Sequence, residues 1–292
     1  MTDSTTVPRL GYIGLGSMGA PMAMRLAGWP GGLVVFDVRD EVMVPFADAG
    51  ASVAGNLADV AAADVISVTV LNDAQVREVV ADLAVHAARG TVIAIHSTIG
   101  DATAAELAAE LAPRGVHIID APVSGGAGAA ATGELATMVG APREIYERVK
   151  PIFKKWASLV IHAGEAGAGT RMKLARNMLT FTAFASACEA MTLAEAAGLD
   201  LQALGRVVRH TDALTGGPGA IMVRDNTGEL EPGHWLYDTF THTRGLGEKD
   251  LSLALALGES VGVDLPLAEV ALRNLATGLG VPHAQSARTE KE

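Results

Sequence analysis

The sequence predicts an α/β fold with a doubly wound parallel sheet in its first half and an all-α second half. In the first half, short apolar runs alternate with longer Ala-rich segments. Such strand–helix alternation indicates a parallel sheet with helices on both faces. A glycine-rich turn follows the first apolar run, and the alternation stops at the Gly-rich break GEAGAGT. We therefore expect one domain over residues 1–165 and a second, helical domain over residues 166–292.

The composition limits the classes of function. The 292 residues are enough for two domains of ordinary size or for one large domain. Of these residues 49% are hydrophobic, and the formal net charge is −11. This acidic balance argues against nucleic acid and anionic membrane surfaces as partners. We find no signal peptide and no apolar run of about 18 residues that would span a bilayer. The single cysteine, Cys188, excludes an intrachain disulfide and is expected to be a small core or interface residue. We expect a soluble, cytoplasmic protein.

The apolar runs predict strands, and the segments between them predict helices. The predicted strands are RLGYIG, LVVFD, DVISVTVL, TVIAIHS, VHIIDAP and LATMVG. The predicted helices between them are SMGAPMAMRLAG, DAQVREVVADLAV, DATAAELAAELA and PREIYERVKPIF. A long helix is expected from Thr170 to Ala197 with Gly198 as its C-cap, and this length is typical of a connection between domains or of packing on a partner chain. Beyond it, LQALGRVVRH, EKDLSLALALGESVG and PLAEVALRNLATGL predict helices, and TGGPGAIMVRDNTGELEPGHWLYDTFTH predicts an irregular connection.

The turn YIGLGSMGAPMAMRL has the spacing of a dinucleotide-binding loop. Gly14 permits the tight turn, Gly16 lets the backbone approach a pyrophosphate, and Gly19 lets helix and strand pack closely. Asp37 ends the second predicted strand, where an acid accepts hydrogen bonds from a ribose 2′-hydroxyl and repels a 2′-phosphate. We therefore predict NAD rather than NADP, although Arg39 follows and can reach a phosphate. The alternative is a Gly-rich turn that binds nothing.

Two further segments at strand ends are candidate binding sites. In DAPVSGGAGAAATGELATMVG, Ser124, Gly125 and Gly126 form a small-residue loop, and its backbone N–H groups with the hydroxyl suit a carboxylate. The alternative is a flexible hairpin loop. Thr98 lies at the carboxyl end of a predicted strand, where ligands of open α/β sheets bind; the alternative is helix capping or turn chemistry.

The apolar segment MKLARNMLTF carries Lys173 and, four residues later, Asn177. On a helix these two side chains share a face. A lysine whose pKa is lowered by burial or by a neighbouring cation can exchange a proton with a substrate hydroxyl, and Asn177 can hold the substrate or the lysine. The alternative is a surface lysine with an exposed ammonium group.

Together these segments resemble the β-hydroxyacid dehydrogenase family, the group of 3-hydroxyisobutyrate dehydrogenase and tartronate semialdehyde reductase. The similarity covers nearly the whole chain: IGLGSMGAPMA resembles the cofactor loop, DAPVSGGAGAAATGELATMVG the substrate-binding segment, GEAGAGTRMKLARN the catalytic segment, and EKDLSLAL a late K-D motif. The resemblance implies a Rossmann domain, a long interdomain helix, an all-α domain, an active site in the cleft between the domains, and a homodimer or homotetramer.

The resemblance also implies roles for individual residues. Lys173 is the catalytic lysine with Asn177 as its partner, and Ser124, Gly125 and Gly126 bind the substrate carboxylate. Lys249 lies near nicotinamide and substrate, supported by Asp250, and its charge helps to lower the pKa of Lys173. The remaining expected cofactor contacts are Leu15, Ser17, Met18, Leu71, Thr98 and Lys249.

The chain departs from the family pattern at two positions. Arg176 stands where the family has asparagine. His242 stands seven residues before Lys249, where the family has phenylalanine, and the nearest phenylalanine is Phe240. The segment GHWLYDTFTHTRGLG also brings additional side chains near the expected substrate pocket. These side chains are Trp235, Tyr237, His242 and Arg244. They leave the substrate open.

We therefore expect an NAD(H)-dependent oxidoreductase that interconverts a small 3-hydroxy acid and its semialdehyde or 3-oxo acid. An imine or carbonyl reductase of the same fold is an alternative, but imine reductases commonly have aspartate or tyrosine at the position of Lys173. A 6-phosphogluconate dehydrogenase needs a longer second domain. A non-catalytic dinucleotide-binding protein is the alternative from another class. The remaining histidines lack metal-ligand spacing, so we predict no metal.

Overall fold

The structure, a computed structural model, describes residues 7–284. The chain divides into two compact units, one ending at Asn177 and one beginning at Met178. This division falls inside the long helix α8 (Ala168–Ala196). The predicted domain boundary after residue 165 precedes that helix and stays a prediction.

The first unit is built on one mixed sheet. Its strands within the described residues are β1 (Leu10–Ile13), β2 (Leu33–Phe36), β3 (Ser52–Val53), β4 (Val65–Val68), β5 (Val92–Ile95), β6 (His117–Asp120), β7 (Val123–Ser124), β8 (Leu135–Gly140) and β9 (Ala157–Gly164). The order is β3-β2-β1-β4-β5-β6-β8-β7, with β9 paired to β8. The pairs from β3 to β6 and the pair β8–β9 are parallel, whereas β8 is antiparallel to β6 and β7. The strand order reverses at β1, the point where open α/β sheets bind ligands.

Two apolar clusters cover opposite faces of this sheet. Successive strand residues point to opposite faces, and accordingly Tyr12 and Val35 belong to one cluster while Ile13 and Val34 belong to the other. The covering helices are α1 (Gly19–Met24), α2 (Val44–Asp48), α3 (Leu57–Val60), α4 (Asp73–His86), α5 (Thr103–Leu111), α6 (Gly126–Thr132) and α7 (Arg143–Phe153). The doubly wound fold is confirmed. β3, β7 and β9 were not predicted, because two are only two residues long and β9 is mostly not buried.

The segment predicted as a small-residue loop is structured. Ser124 lies in β7 and pairs with Ala136 of β8, and Gly126 is the first residue of α6. Gly125 and Gly126 have backbone φ angles of +134° and +79°, which residues other than glycine rarely adopt. The prediction of a loop over Ser124–Gly126 is therefore wrong, because the two glycines make an abrupt strand-to-helix turn instead.

The second unit is helical. It contains the rest of α8 together with α9 (Leu201–Thr215), α10 (Tyr237–Val261) and α11 (Pro266–Leu279). Gly198 follows α8 with φ of +75°, in agreement with the predicted C-cap. The predicted irregular connection ends at Leu236 rather than at His242. α10 begins early because Leu236 and Phe240 are buried against Leu279 and Val281.

A hydrogen-bonded contact connects two helices of the second unit. The carboxylate of Glu189 on α8 accepts hydrogen bonds from the N–H groups of Leu267 and Ala268, both at 2.9 Å, at the start of α11. Cys188 beside it is exposed, so its expected place in a core is wrong and its place in an interface stays a prediction. No helix among residues 7–284 is long and apolar enough to cross a membrane.

Candidate active site

The glycine-rich turn after β1 forms one wall of a cavity. Gly14 has φ of +89°, and a Cβ on Gly19 would collide with the backbone oxygen of Gly14. A Cβ on Gly16 would meet no atom within 4 Å, so this glycine borders open space. The cavity measures about 520 Å³, and its walls include Gly14, Gly16, Asp37 and Leu71. This arrangement fits a dinucleotide, whose pyrophosphate needs close approach to backbone.

Asp37 is held as a carboxylate at the end of β2. Its side chain accepts hydrogen bonds from the N–H of Leu15 at 2.7 Å and from Nε of Arg39 at 3.1 Å. Burial acts to raise the pKa of Asp37, but these hydrogen bonds outweigh burial and the pKa lies below its ordinary value. Glu78 and Asp82 line the same cavity. Three acids facing one arginine disfavour a 2′-phosphate.

Val70 and Leu71 also line the cavity, and Val70 is held by Ser97, for which the sequence predicted no role. Ser97, which follows β5, accepts a hydrogen bond from the N–H of Val70 at 3.0 Å and donates one to its carbonyl at 2.6 Å. These bonds fix the segment that leads to the exposed residue Leu71. The neighbouring Thr98 is exposed. A hydroxyl side chain just after a predicted strand is the sequence feature that could have identified Ser97.

Lys173 is buried and points at the β7 segment. Its side chain is 9% exposed, and Nζ donates to the carbonyl of Val123 at 2.7 Å and to Oγ of Ser124 at 2.9 Å. Burial lowers the pKa of Lys173, and the positive charge of Arg176 lowers it further. The alternative of a surface lysine is wrong. The structure brings together Lys173 and Ser124, two candidate residues far apart in sequence.

Asn177 and Arg176 continue the same face of α8. Nη1 of Arg176 lies 3.4 Å from Oδ1 of Asn177 and donates to it. Asn177 is half-buried and Arg176 is exposed. Arg176 is therefore both a hydrogen-bond donor to Asn177 and the cation whose charge lowers the pKa of Lys173.

Asp120 anchors the helix that carries Lys173. It is completely buried at the end of β6, and its carboxylate accepts hydrogen bonds from the N–H of Gly167 at 2.7 Å and of Thr170 at 2.5 Å. A Cβ on Gly169 would meet the backbone oxygen of Asp120 at 2.9 Å. The start of α8 therefore contacts the end of β6, the strand that precedes Val123. An acid at the end of a buried strand was the signal that could have identified Asp120.

Within the second unit, the K-D motif lies on the surface of α10. Nζ of Lys249 lies 2.9 Å from Oδ1 of Asp250, and both side chains are more than half exposed. Arg244 is buried and donates from Nη1 to the carbonyl of Pro282 at 2.7 Å. Phe240 belongs to the apolar cluster of this unit. Arg244 and Phe240 therefore both contact other parts of the second unit and contribute to its packing.

The other aromatic candidates of this unit differ in burial. Trp235 is 71% exposed and lies beside His234, with a distance of 6.1 Å between ring centroids. Tyr237 is half-buried and His242 is exposed. Among residues 7–284, no group of three or more His, Cys, Asp or Glu side chains is arranged to hold a metal ion.

Comparison with protein families gives two matches that together span most of the chain. A model described as the NAD binding domain of 6-phosphogluconate dehydrogenase matches residues 9–164. A model described as NAD-binding of NADP-dependent 3-hydroxyisobutyrate dehydrogenase matches residues 167–286.

Similar proteins are dehydrogenases and other oxidoreductases. An uncharacterised oxidoreductase of Mycobacterium tuberculosis is 65% identical over 97% of each chain. The 2-(hydroxymethyl)glutarate dehydrogenase of Eubacterium barkeri is 30% identical over 93% of this chain and 91% of the other. A solved M. tuberculosis 3-hydroxyisobutyrate dehydrogenase with L-serine is 29% identical, with a TM-score of 0.66 over 98% and 100% of the two chains. An imine reductase variant from Myxococcus stipitatus in complex with NAD+ has a TM-score of 0.74 over 97% and 94%, but at 17% identity it shows the fold alone.

Proposed function

The chain belongs to the β-hydroxyacid dehydrogenase family, and we propose that it is an NAD(H)-dependent enzyme that interconverts a small 3-hydroxy acid and its semialdehyde or 3-oxo acid. The observation that carries the proposal is the pair of hydrogen bonds from Lys173 to Val123 and Ser124. They hold a buried amine against the segment that we propose binds the substrate carboxylate.

Lys173 is suited to take the hydroxyl proton. A neutral amine has two N–H bonds and one lone pair, and two acceptors occupy the N–H directions of Nζ. We propose that the lone pair accepts the proton of the substrate hydroxyl during oxidation, and that the resulting ammonium returns a proton during reduction. The lowered pKa of Lys173 favours the amine form that oxidation requires. When bound, the nicotinamide supplies hydride transfer.

Four of the proposed cofactor residues line the cavity, namely Gly14, Gly16, Asp37 and Leu71. We propose that Gly14, Leu15, Gly16, Ser17, Met18 and Gly19 surround the pyrophosphate, and that Leu71 and Thr98 contact the cofactor further along. Asp37 favours NAD because its carboxylate stays charged at the ribose end of the cavity. Lys249 and Asn177 keep their proposed roles of orienting and polarising the substrate hydroxyl.

The names of the relatives suggest a common substrate core. 3-Hydroxyisobutyrate, L-serine and 2-(hydroxymethyl)glutarate all contain HOCH2–CH(X)–COO−, where X is methyl, ammonium or carboxyethyl. We propose that this chain oxidises the same core. Ser124, Gly125 and Gly126 would bind the common carboxylate, since Gly126 begins a helix and borders open space, where a Cβ would meet no atom within 4 Å.

We also propose that the protein forms a homodimer or homotetramer in the cytoplasm. Large apolar side chains on α8 support an oligomer, because Met178, Phe181 and Phe184 are each at least 60% exposed. A single cysteine is compatible with a reducing compartment. Light scattering coupled to size exclusion measures the mass, and a monomer would contradict this proposal.

The test of function is a steady-state assay of NAD+ reduction over a panel of 3-hydroxy acids, with NADP+ in parallel. The panel contains 3-hydroxyisobutyrate, L-serine, 2-(hydroxymethyl)glutarate and glycerate, and we expect at least one acid to be oxidised with NAD+ preferred. Turnover of cyclic imines with NADPH, and none with the acids, would favour the imine reductase alternative. NADH binding without any turnover would favour a non-catalytic binding protein.

A further inference from the structure

Arg176 lies beside both side chains that the proposed function places at the substrate. It is three residues from Lys173 and adjacent to Asn177, and residues three or four positions apart share a helix face. Its Nη1 donates to Oδ1 of Asn177 at 3.4 Å. The positive charge of Arg176 also lowers the pKa of Lys173. The side chain is exposed and therefore accessible to a small molecule.

This position adds a positive charge in a strongly acidic protein. The chain carries a formal net charge of −11, so a lysine and an arginine on one helix face are a local departure from the general charge. A guanidinium presents a planar fork of donors that matches a carboxylate. Arg176 thus places a carboxylate-binding group next to the proposed acid/base.

We propose that Arg176 binds a second carboxylate of the substrate, so that this protein prefers 3-hydroxy acids whose substituent on carbon 2 carries a carboxylate. This inference rests on the proposed function, which assigns the hydroxyl to Lys173 and the common carboxylate to the Ser124–Gly126 segment. Three residues along a helix advance about 4.5 Å. A carboxyethyl substituent spans that distance, whereas a methyl substituent does not.

The second carboxylate takes no part in bond making. The reaction stays the oxidation of R–CH2OH by NAD+, which gives R–CHO, NADH and a proton: the carbon loses a hydride to NAD+, and the oxygen loses a proton to Lys173. Arg176 would act on binding, and its effect should therefore appear mainly in KM.

The test compares two acids of equal chain length. 2-(Hydroxymethyl)glutarate carries the second carboxylate, and 2-(hydroxymethyl)pentanoate replaces it with a methyl group. We expect wild type to favour the dicarboxylate in kcat/KM, and Arg176→Asn to lower this preference roughly ten- to hundredfold through KM. The ratio of the two substrates cancels any common change at Lys173. Arg176→Lys keeps the charge and should retain part of the preference. Arg171→Gln removes the same charge elsewhere on α8 and should leave the preference unchanged.

The outcomes separate this inference from the proposed function. Turnover of the monocarboxylate with no preference for the dicarboxylate would overturn the inference and leave the proposed function standing. An equal loss on both acids in Arg176→Asn would also overturn it, because the arginine would then serve the common core. Inactivity of wild type on every 3-hydroxy acid, with NADH still bound, would overturn both.

Discussion

Asp120 accepts a hydrogen bond at 2.5 Å from the backbone N–H of Thr170, which lies in the first turn of the helix that carries Lys173. The same carboxylate accepts from Gly167 at 2.7 Å. Asp120 precedes the β7 segment that receives the lysine Nζ, so one buried side chain links the two parts of the proposed catalytic contact. We regard Asp120 as a positioning residue.

Replacement of Asp120 by asparagine tests this role. An amide has one oxygen, so its NH2 group would face one of the two N–H donors, and we expect a loss of about 1–3 kcal/mol in the free energy of unfolding. We also expect kcat to fall while the Kd for NADH is unchanged. Urea unfolding, turnover and NADH fluorescence measure the three quantities. A less stable variant with wild-type kcat would limit Asp120 to a structural role.

Removal of the proposed acid/base should abolish most activity. We expect Lys173→Ala to lower kcat by roughly 10²–10⁴-fold, the usual contribution of acid–base catalysis, with NADH binding retained. Ser124→Ala is the matched comparison, because it removes one acceptor of the lysine and keeps the amine. Full turnover of Lys173→Ala would refute the mechanism.

The charge of Arg176 predicts a shift in the pH profile. Oxidation requires neutral Lys173, so kcat/KM should rise with pH through the pKa of that lysine. Arg176→Asn removes a charge that lowers this pKa, and the rising limb should therefore move to higher pH. The profile measured with 2-(hydroxymethyl)pentanoate isolates the effect from binding of a second carboxylate. An unmoved limb would mean that the arginine does not influence the titrating group.

The ion pair of Asp37 and Arg39 predicts cofactor choice. In Asp37→Ser the carboxylate that repels a phosphate is lost and the guanidinium is released from its bond at 3.1 Å. We expect the NAD+/NADP+ ratio of kcat/KM to fall roughly ten- to hundredfold. In an otherwise wild-type protein, Arg39→Gln should lower kcat/KM with NADP+ below the wild-type value. Wild-type preference for NADP+ would contradict the assignment of Asp37.

His96 predicts a loss of stability in mild acid. Nδ1 donates to the carbonyl of Ala121 at 2.7 Å, Nε2 accepts from Oγ of Ser67 at 3.0 Å, and burial lowers the pKa of His96 from 6.5 to about 4. Between these two values the unfolded chain binds the proton and the folded chain does not, so stability falls as pH decreases from 6.5 towards 4. The expected loss is about 2 kcal/mol at pH 5.

Urea midpoints of wild type and His96→Gln between pH 5 and pH 8 measure this effect. Glutamine keeps a donor and an acceptor but does not titrate there. The stability difference between the two proteins should therefore shrink as pH falls. A constant difference across this range would show that His96 titrates alike in both states.

Local patterns determined most of the fold. The six predicted strands of the first unit were recovered because strands buried between two layers of helices appear as continuous apolar runs, such as β4 and β5. β7 was not predicted, because a two-residue strand is too short to show an alternating pattern. α10 begins earlier than predicted, because Leu236 and Phe240 are buried against Leu279.

The sequence by itself determined the family, the dinucleotide loop and the identity of the candidate residues, because these depend on motifs read over short distances. Only the tertiary structure decided what they touch. The contact of Lys173 with Ser124, the clamp of Asp120 on Thr170, and the bond of Leu15 to Asp37 join residues 49, 50 and 22 positions apart. Burial at such long-range contacts governs pKa and hydrogen-bond geometry, and no local pattern specifies which distant segment supplies the partner.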